Sequence, residues 1–286
     1  MQTGEHQYLR LARQIIEHGE WVENKRTGKR TKVIIGETLK YDCSEGLLPL
    51  VTTRKSYWKM AINEMIGYLR GYSSAAEFRK LGVTTWDANA NENKAWLGNA
   101  YRKGDDDMGR VYGVQGRSWV NHERNVYDQL KTIYWKLCDA NDDRALIMTF
   151  WNPGELHMGC LNSCMHTHQF SLVNDTLHLN SSQRSVDVPL GLVFNMVQAS
   201  VLLMIMARIT GYKAGVVKHD LVNCHIYEDQ INHMKLQLER LPFTPPSLEI
   251  DPLVQTLGDI EHWVTADNFE LKGYQHHDPI KFPFAV

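Results

Sequence analysis

Gln183-Arg184-Ser185-Val186-Asp187-Val188-Pro189-Leu190-Gly191-Leu192-Val193-Phe194-Asn195 (QRSVDVPLGLVFN) sets two charged residues and a hydroxyl directly before an apolar run. From Phe194 to Ile209 that run is apolar nearly all round, the pattern of a helix enclosed in a core. Arg184 and Ser185 suit a phosphate, since a guanidinium fork and a neutral hydroxyl both donate to phosphate oxygens. Arg184 equally suits an ion pair with Asp187 across a turn. Asn195 either caps the helix or offers its amide to the edge of a heterocycle.

Working back from this stretch, Cys160-Leu-Asn-Ser-Cys164-Met-His166-Thr-His168 is the densest reactive cluster. Three readings stand. If residues 164–170 form a strand, Cys164, His166 and His168 share a face and could hold zinc. The two histidines could instead be structural, beside a buried thiol. Or Cys164 is a nucleophile, which requires a nearby cation to favour its thiolate.

The surrounding pattern mixes strands and helices without a regular βαβ repeat, which predicts an α+β fold. Thr3 can cap a first helix whose Tyr8, Leu11, Ala12, Ile15 and Ile16 recur at helical spacing until Gly19. Lys32 to Lys40 reads as a strand with a bend at Gly36. Trp58, Ala61, Ile62, Met65 and Leu69 mark a second helix stopped by Gly71. Glu64 falls on its flank, either as a boundary residue or as a carboxylate reaching into a pocket. Val126 to Leu137 and Tyr227 to Arg240 read as helices. Ala145 to Phe150, His166 to Val173 and Thr176 to Asn180 read as strands, the last two joined by a turn at Asn174-Asp175. No linker or repeat divides residues 1–286, so a single domain is expected.

The chain has a formal charge of −2, which gives no global attraction to nucleic acid or to an anionic membrane. An anionic ligand therefore needs a local arginine cluster. Five widely spread cysteines and no apolar leader predict a reduced, cytoplasmic protein. The apolar stretch from Ala199 to Ala207 is too short to span a bilayer.

QRSVDVPLGLVFN closely resembles the signature of the thymidylate synthase family. Further blocks fall in that family's order: KRTG at Lys25 to Gly28, PLVTT at Pro49 to Thr53, TTWD at Thr84 to Asp87, VYG at Val111 to Gly113, and FWNPGEL at Phe150 to Leu156. His225-Ile-Tyr227 and the terminal Ala285-Val286 complete a match that runs from Arg26 to the last residue.

The resemblance implies a single α+β domain with a large mixed β-sheet flanked by helices, paired as a homodimer through its sheets. It implies deoxyuridylate as substrate, 5,10-methylenetetrahydrofolate as one-carbon donor, and no metal. Carried over position by position, Cys164 attacks C6 of uracil. Arg26, Arg184 and Ser185 hold the 5′-phosphate with Arg144 of the other subunit. Gln183 and Asn195 contact the pyrimidine side, and His225 with Tyr227 the sugar hydroxyl. Glu64 and Tyr112 belong to the proton-transfer network. Trp86, Asp187, Leu190, Gly191, Phe194 and the terminal Val286 match folate-site positions.

Four positions depart from the family pattern. Met165 stands where a His usually follows the nucleophile, Ala145 follows Arg144 where a second Arg is common, and Asn89 replaces a tryptophan. Gln115-Gly116-Arg117 replaces Gln-Trp-Arg, and the charged insert Arg102 to Asp107 reads as a solvated loop. These departures raise a sister activity as the alternative: a deoxypyrimidine hydroxymethylase, which quenches the same intermediate with water instead of hydride. A catalytically dead homologue that binds RNA is a third reading, against which no basic, aromatic-rich stripe is found.

Overall fold

The computed structural model describes residues 3–24, 28–141 and 144–284. Helix α1 (Gly4–His18) begins where Thr3 accepts from the His6 N–H, relieving one orphan donor of the first turn. The other principal helices are α2 (Trp58–Leu69), α3 (Tyr112–Arg117), α4 (Gln129–Cys138), α5 (Val193–Thr210) and α6 (Ile231–Leu238). Six strands form the main sheet: β1 (Glu20–Asn24), β2 (Lys29–Asp42), β3 (Ile147–Thr149), β4 (Met165–Val173), β5 (Thr176–Asp187) and β6 (Lys213–Tyr227).

Their spatial order is β1-β2-β6-β5-β4-β3. Every neighbouring pair is antiparallel except β5 and β6, which run parallel. A parallel pair needs a crossover, and α5 supplies it. The mixed sheet flanked by helices is the α+β arrangement expected from the sequence. Helix α5 packs on β5 and β6 with one side and on α2 and α4 with another, so apolar residues are required all round it. The stretch Val188–Thr210 is long and apolar enough to cross a bilayer, but it lies mostly buried in this core.

The helices cover one face of the sheet. Along β5, Leu177, Leu179, Ser181 and Gln183 are buried while Thr176, His178, Asn180 and Ser182 between them are half-buried. Along β6, Val217, His219 and Leu221 point inward and Lys218 and Val222 are exposed. Gly36 takes φ +81° between the pairs Ile35–Asn223 and Glu37–Leu221, the bend expected there.

Strand β2 extends beyond the expected Lys32 to Lys40 at both ends, β3 is shorter than the expected Ala145 to Phe150, and three further elements differ from the sequence reading. The strand expected at Thr176 to Asn180 runs on to Asp187, because β6 pairs with it along nearly its whole length. The helix expected from Val126 begins only at Gln129. Val126–Tyr127 pair with Trp119–Val120, and Asp128 then caps the helix by accepting from the Lys131 N–H at 2.9 Å. Tyr227 closes β6, so the helix expected from Tyr227 starts at Ile231 after one 3-10 turn. Strand β6 itself carries no clean apolar alternation, since a histidine occupies one of its inward positions.

The insert Arg102 to Asp107 is a loop with Lys103 and Asp105 exposed, and its end is tied down. Arg79 holds Asp106 at 2.6 Å, Asn91 donates to the same carboxylate at 2.8 Å, and the Trp96 indole donates to the Asp107 carbonyl at 2.6 Å.

Candidate active site

The turn between β5 and α5, the middle of α2 and the start of α3 enclose a cavity of about 390 Å³. Cys164 lies at its wall, one residue before β4, and is half-buried. Arg184 on β5 fixes this cysteine from two sides. Its backbone N–H donates to the Cys164 carbonyl at 3.0 Å, and its guanidinium donates to the carbonyls of Ser163 and Asn162 at 2.9 Å each. The same guanidinium lies 3.7 Å from Cys164 Sγ. A cation at that distance stabilises a negative sulfur. Cys160 has no such neighbour among its contacts, and burial pushes its thiol up to about 12. Of the two cysteines in the cluster, Cys164 is the one that lines the cavity beside a guanidinium.

The Cys164 N–H donates to the Tyr112 hydroxyl at 2.8 Å. Burial, with Cys164 close by, holds that phenol well above its usual range. Tyr112 is placed by aromatic packing: it stacks on Tyr68 at 4.7 Å and meets Trp86 edge-on at 5.6 Å. It adopts φ +24°, a backbone position that residues with side chains rarely take. Gly113 next to it lets α3 press on α2, since a Cβ there would stand 2.2 Å from the Tyr68 carbonyl oxygen.

Glu64 projects from α2 into the cavity and is only 7% exposed. Thr85 donates to one of its oxygens, and Gln198 on α5 donates to the other at 2.6 Å. Burial pushes this carboxyl above the ordinary range, opposed by those hydrogen bonds and by Trp86 and Tyr68. Asp187 caps the turn into α5 by accepting from the Leu190 N–H at 3.1 Å, and it accepts from Gln230 at 2.9 Å. Burial pushes it up to about 6. Arg184 and Asp187 thus take different partners, and the ion pair weighed from sequence is not formed. Asn195 does not cap α5, whose N-cap is Leu192; its amide faces the cavity.

A register shift in β4 between Met165 and Thr167 breaks the alternation that would set Cys164, His166 and His168 on one face. Burial then falls on Met165, His168 and Phe170, while His166 turns away. Among the described residues, no group of three His, Cys, Asp or Glu side chains gathers to hold a metal.

A cysteine beside an arginine thus shares one cavity with a buried carboxyl and an amide. The thymidylate synthase family model matches residues 6–286. The chain belongs to the thymidylate synthase family. It is 59% identical over 281 residues to the thymidylate synthase of Shewanella loihica, covering 98% of this chain and 99% of that one. The thymidylate synthase of Psychromonas ingrahamii matches equally, at 59% with the same coverage, and that of Vibrio cholerae serotype O1 at 58%.

The structure brings together most of the positions that family likeness singles out. Glu64, Trp86, Tyr112, Cys164, Gln183, Ser185, Asp187, Leu190, Gly191, Phe194 and Asn195 all line the cavity. Arg184 touches Cys164 from the side. His225 lies next to Asp187 across the parallel β5–β6 pair, and its ring meets Tyr227 edge-on at 5.4 Å. Arg144 stands exposed at φ +62° before β3. Arg26 and Val286 lie outside the described residues.

The departures also acquire places. Asn89 lines the cavity, whereas Met165 is 1% exposed and packs in the core. Gly116 stands where a Cβ would come within 2.9 Å of the Phe150 ring, so Phe150 and Met148 fill the space a larger side chain would need. Sequence reasoning missed Thr85, Tyr68, Gln198, Leu161 and Phe284 as cavity or network residues. Gln198 stands one turn after Asn195 in the apolar helix and Thr85 stands within the TTWD block, but neither position tells that its side chain reaches Glu64.

Proposed function

We propose that the protein transfers a one-carbon unit to C5 of deoxyuridylate and reduces it, giving thymidylate and dihydrofolate. The observation that carries this reading is the Arg184 guanidinium 3.7 Å from Cys164 Sγ, at the wall of a cavity that also holds Glu64 and the Asn195 amide. C5 of uracil is a poor nucleophile. Addition of the Cys164 thiolate to C6 makes an enolate whose C5 can attack an electrophilic carbon, and this divides one hard step into two.

Arg184 supports the anionic sulfur and stands ready for the phosphate with Ser185. Glu64, buried and inclined to hold its proton, serves proton exchange at the ring, with the Tyr112 hydroxyl next to the sulfur. 5,10-Methylenetetrahydrofolate would supply the one-carbon unit and the hydride. The apolar and aromatic surfaces of Trp86, Leu190 and Phe194 suit a flat heterocycle, and Gly191 leaves room beside Asn195, where a Cβ would stand 3.8 Å from Oδ1. Asp187, Val286, Arg26, His225 and Tyr227 are assigned to these ligands on family likeness.

The one catalytic domain acts, in this reading, as a homodimer with shared sites, in a reducing cytoplasm that suits its free cysteines. The names of the relatives favour methyl over hydroxymethyl transfer.

The test is a single reaction. Incubation with deoxyuridylate and methylenetetrahydrofolate should yield thymidylate by mass and dihydrofolate by absorbance. A nucleotide one oxygen heavier, with no dihydrofolate, would mean hydroxymethyl transfer. With 5-fluorodeoxyuridylate a covalent adduct should map to Cys164; an adduct on Cys160 would overturn the assignment.

A further inference from the structure

Asn195 belongs to a chain of buried side chains that crosses from the cavity into the sheet. Gln183 Nε2 donates to Asn195 Oδ1 at 2.9 Å, Asn195 Nδ2 donates to Gln198 Oε1 at 2.9 Å, and Gln198 Nε2 donates to Glu64 at 2.6 Å. On the far side, His219 Nε2 lies 2.9 Å from Gln183 Oε1, and the Tyr41 hydroxyl lies 3.1 Å from His219 Nδ1. Tyr41, Gln183, Gln198 and His219 are each 1% exposed or less.

The direction of this chain follows from one atom that can only accept. Gln183 Nε2 also donates to the Ser185 backbone carbonyl, at 3.0 Å. The Gln183 nitrogen must face that carbonyl, so its oxygen must face His219. A buried carbonyl oxygen needs a donor, so His219 carries its proton on Nε2 and Tyr41 donates to Nδ1. Burial holds the imidazole down to about 4, so it is neutral and keeps one tautomer. Every donor from Tyr41 to Gln198 then points toward Glu64.

One hydrogen of Asn195 Nδ2 and one lone pair of Oδ1 remain outside this chain, on an amide that faces the cavity. An acceptor and a donor side by side match N3–H and O4 of uracil. Cytosine offers an acceptor and a donor in those places and meets the amide with like groups.

We propose that His219, which lies outside the cavity, is a specificity-determining positioning residue: its Nε2–H fixes the Gln183 amide, and through it the orientation in which Asn195 reads the pyrimidine. This inference rests on the proposed uracil-nucleotide substrate. Without the His219 donor, the buried Gln183 oxygen loses its partner, and the amides of Gln183 and Asn195 are free to turn over.

The test compares equilibrium binding of deoxyuridylate and deoxycytidylate to the full-length protein. In His219→Phe the preference for deoxyuridylate should fall at least about tenfold, a size typical of a buried group left without its hydrogen bond. His219→Gln, which can donate from a similar position, should restore most of it. Tyr41→Phe releases the ring to its other tautomer and should narrow the preference in the same direction. It also carries the test if His219→Phe does not fold. Nitrogen NMR of the wild type should report the Nε2–H tautomer. An unchanged preference in the folded variants, or an Nδ1–H tautomer, overturns the inference. A wild-type protein that binds neither nucleotide refutes the proposed substrate instead.

Discussion

Glu64 is a carboxyl whose charge is penalised by burial and supported by two donors, Thr85 and Gln198, and burial outweighs them. A folded-state pKa above the unfolded value of about 4.5 means the native protein keeps this proton where the unfolded chain has lost it. The contribution to stability is therefore full below pH 4.5 and fades as pH rises through the folded value. Glu64→Gln removes that loss. Its amide can still accept from Gln198 and can donate to the Thr85 hydroxyl, so the fold should tolerate it. We expect the variant's stability relative to wild type to improve as pH rises across this window and then level off. Parallel curves in denaturant titrations at pH 4 to 8 would sink the argument. Turnover should fall by roughly 10²–10⁴, the usual contribution of a positioned proton-transfer group. In the proposed reaction, the carboxyl whose charge burial opposes is also the one assigned to proton exchange.

At the scale of elements, the contact between α2 and α3 holds Tyr112 against the Cys164 N–H. Gly113 lies against the Tyr68 backbone so closely that an added Cβ would stand 2.2 Å from its carbonyl oxygen and 2.6 Å from its Cα. Neither is the end of a flexible side chain. Gly113→Ala should therefore cost about 1–3 kcal/mol, typical of overpacking, read as a lowered Tm. It should also cut turnover, because α3 carries Tyr112 away from the Cys164 N–H. Gly98→Ala is the control, since its Cβ would meet only the Lys94 carbonyl, at 3.8 Å. If both variants melt alike, close packing is not what Gly113 provides. The same scale explains what could be read in advance. Cys164 stands out by the density of its Cys/His cluster, and Arg184 and Asn195 by their place around the start of an apolar helix. Thr85 and Gln198 do not, because they reach Glu64 across 21 and 134 residues of chain, and no local pattern encodes such pairs. Helix α1 was legible from its cap and stripe. Strand β6 was not, because His219 occupies a core position, where it accepts from Tyr41 and donates to Gln183 rather than to any sequence neighbour.

For the whole molecule, helices α1 and α5 pack on β2, β5 and β6 of the sheet. On its strands Ile35 is 67% exposed and Val222 52% exposed, apolar surface that a second copy would remove from water. An antiparallel sheet can face water on one side, so exposure alone does not require a partner. The proposed dimer is supported by the place of Arg144. The cavity has Arg184 beside the nucleophile, while Arg144 stands exposed before β3, where the family likeness assigns it to the partner's phosphate. Arg144→Ala and Cys164→Ser should each be nearly inactive alone, the first for want of a phosphate ligand and the second for want of a thiolate. In a dimer carrying one of each, one site holds both lesions and the other holds neither. Random mixing makes half the dimers of this kind, with one of two sites intact, so about a quarter of wild-type activity should return. Its return should follow the kinetics of subunit exchange and should fail when exchange is blocked by cross-linking before mixing. Inactivity after confirmed exchange would show that each chain builds its site alone, and Arg144 would then have to be reassigned to its own protomer.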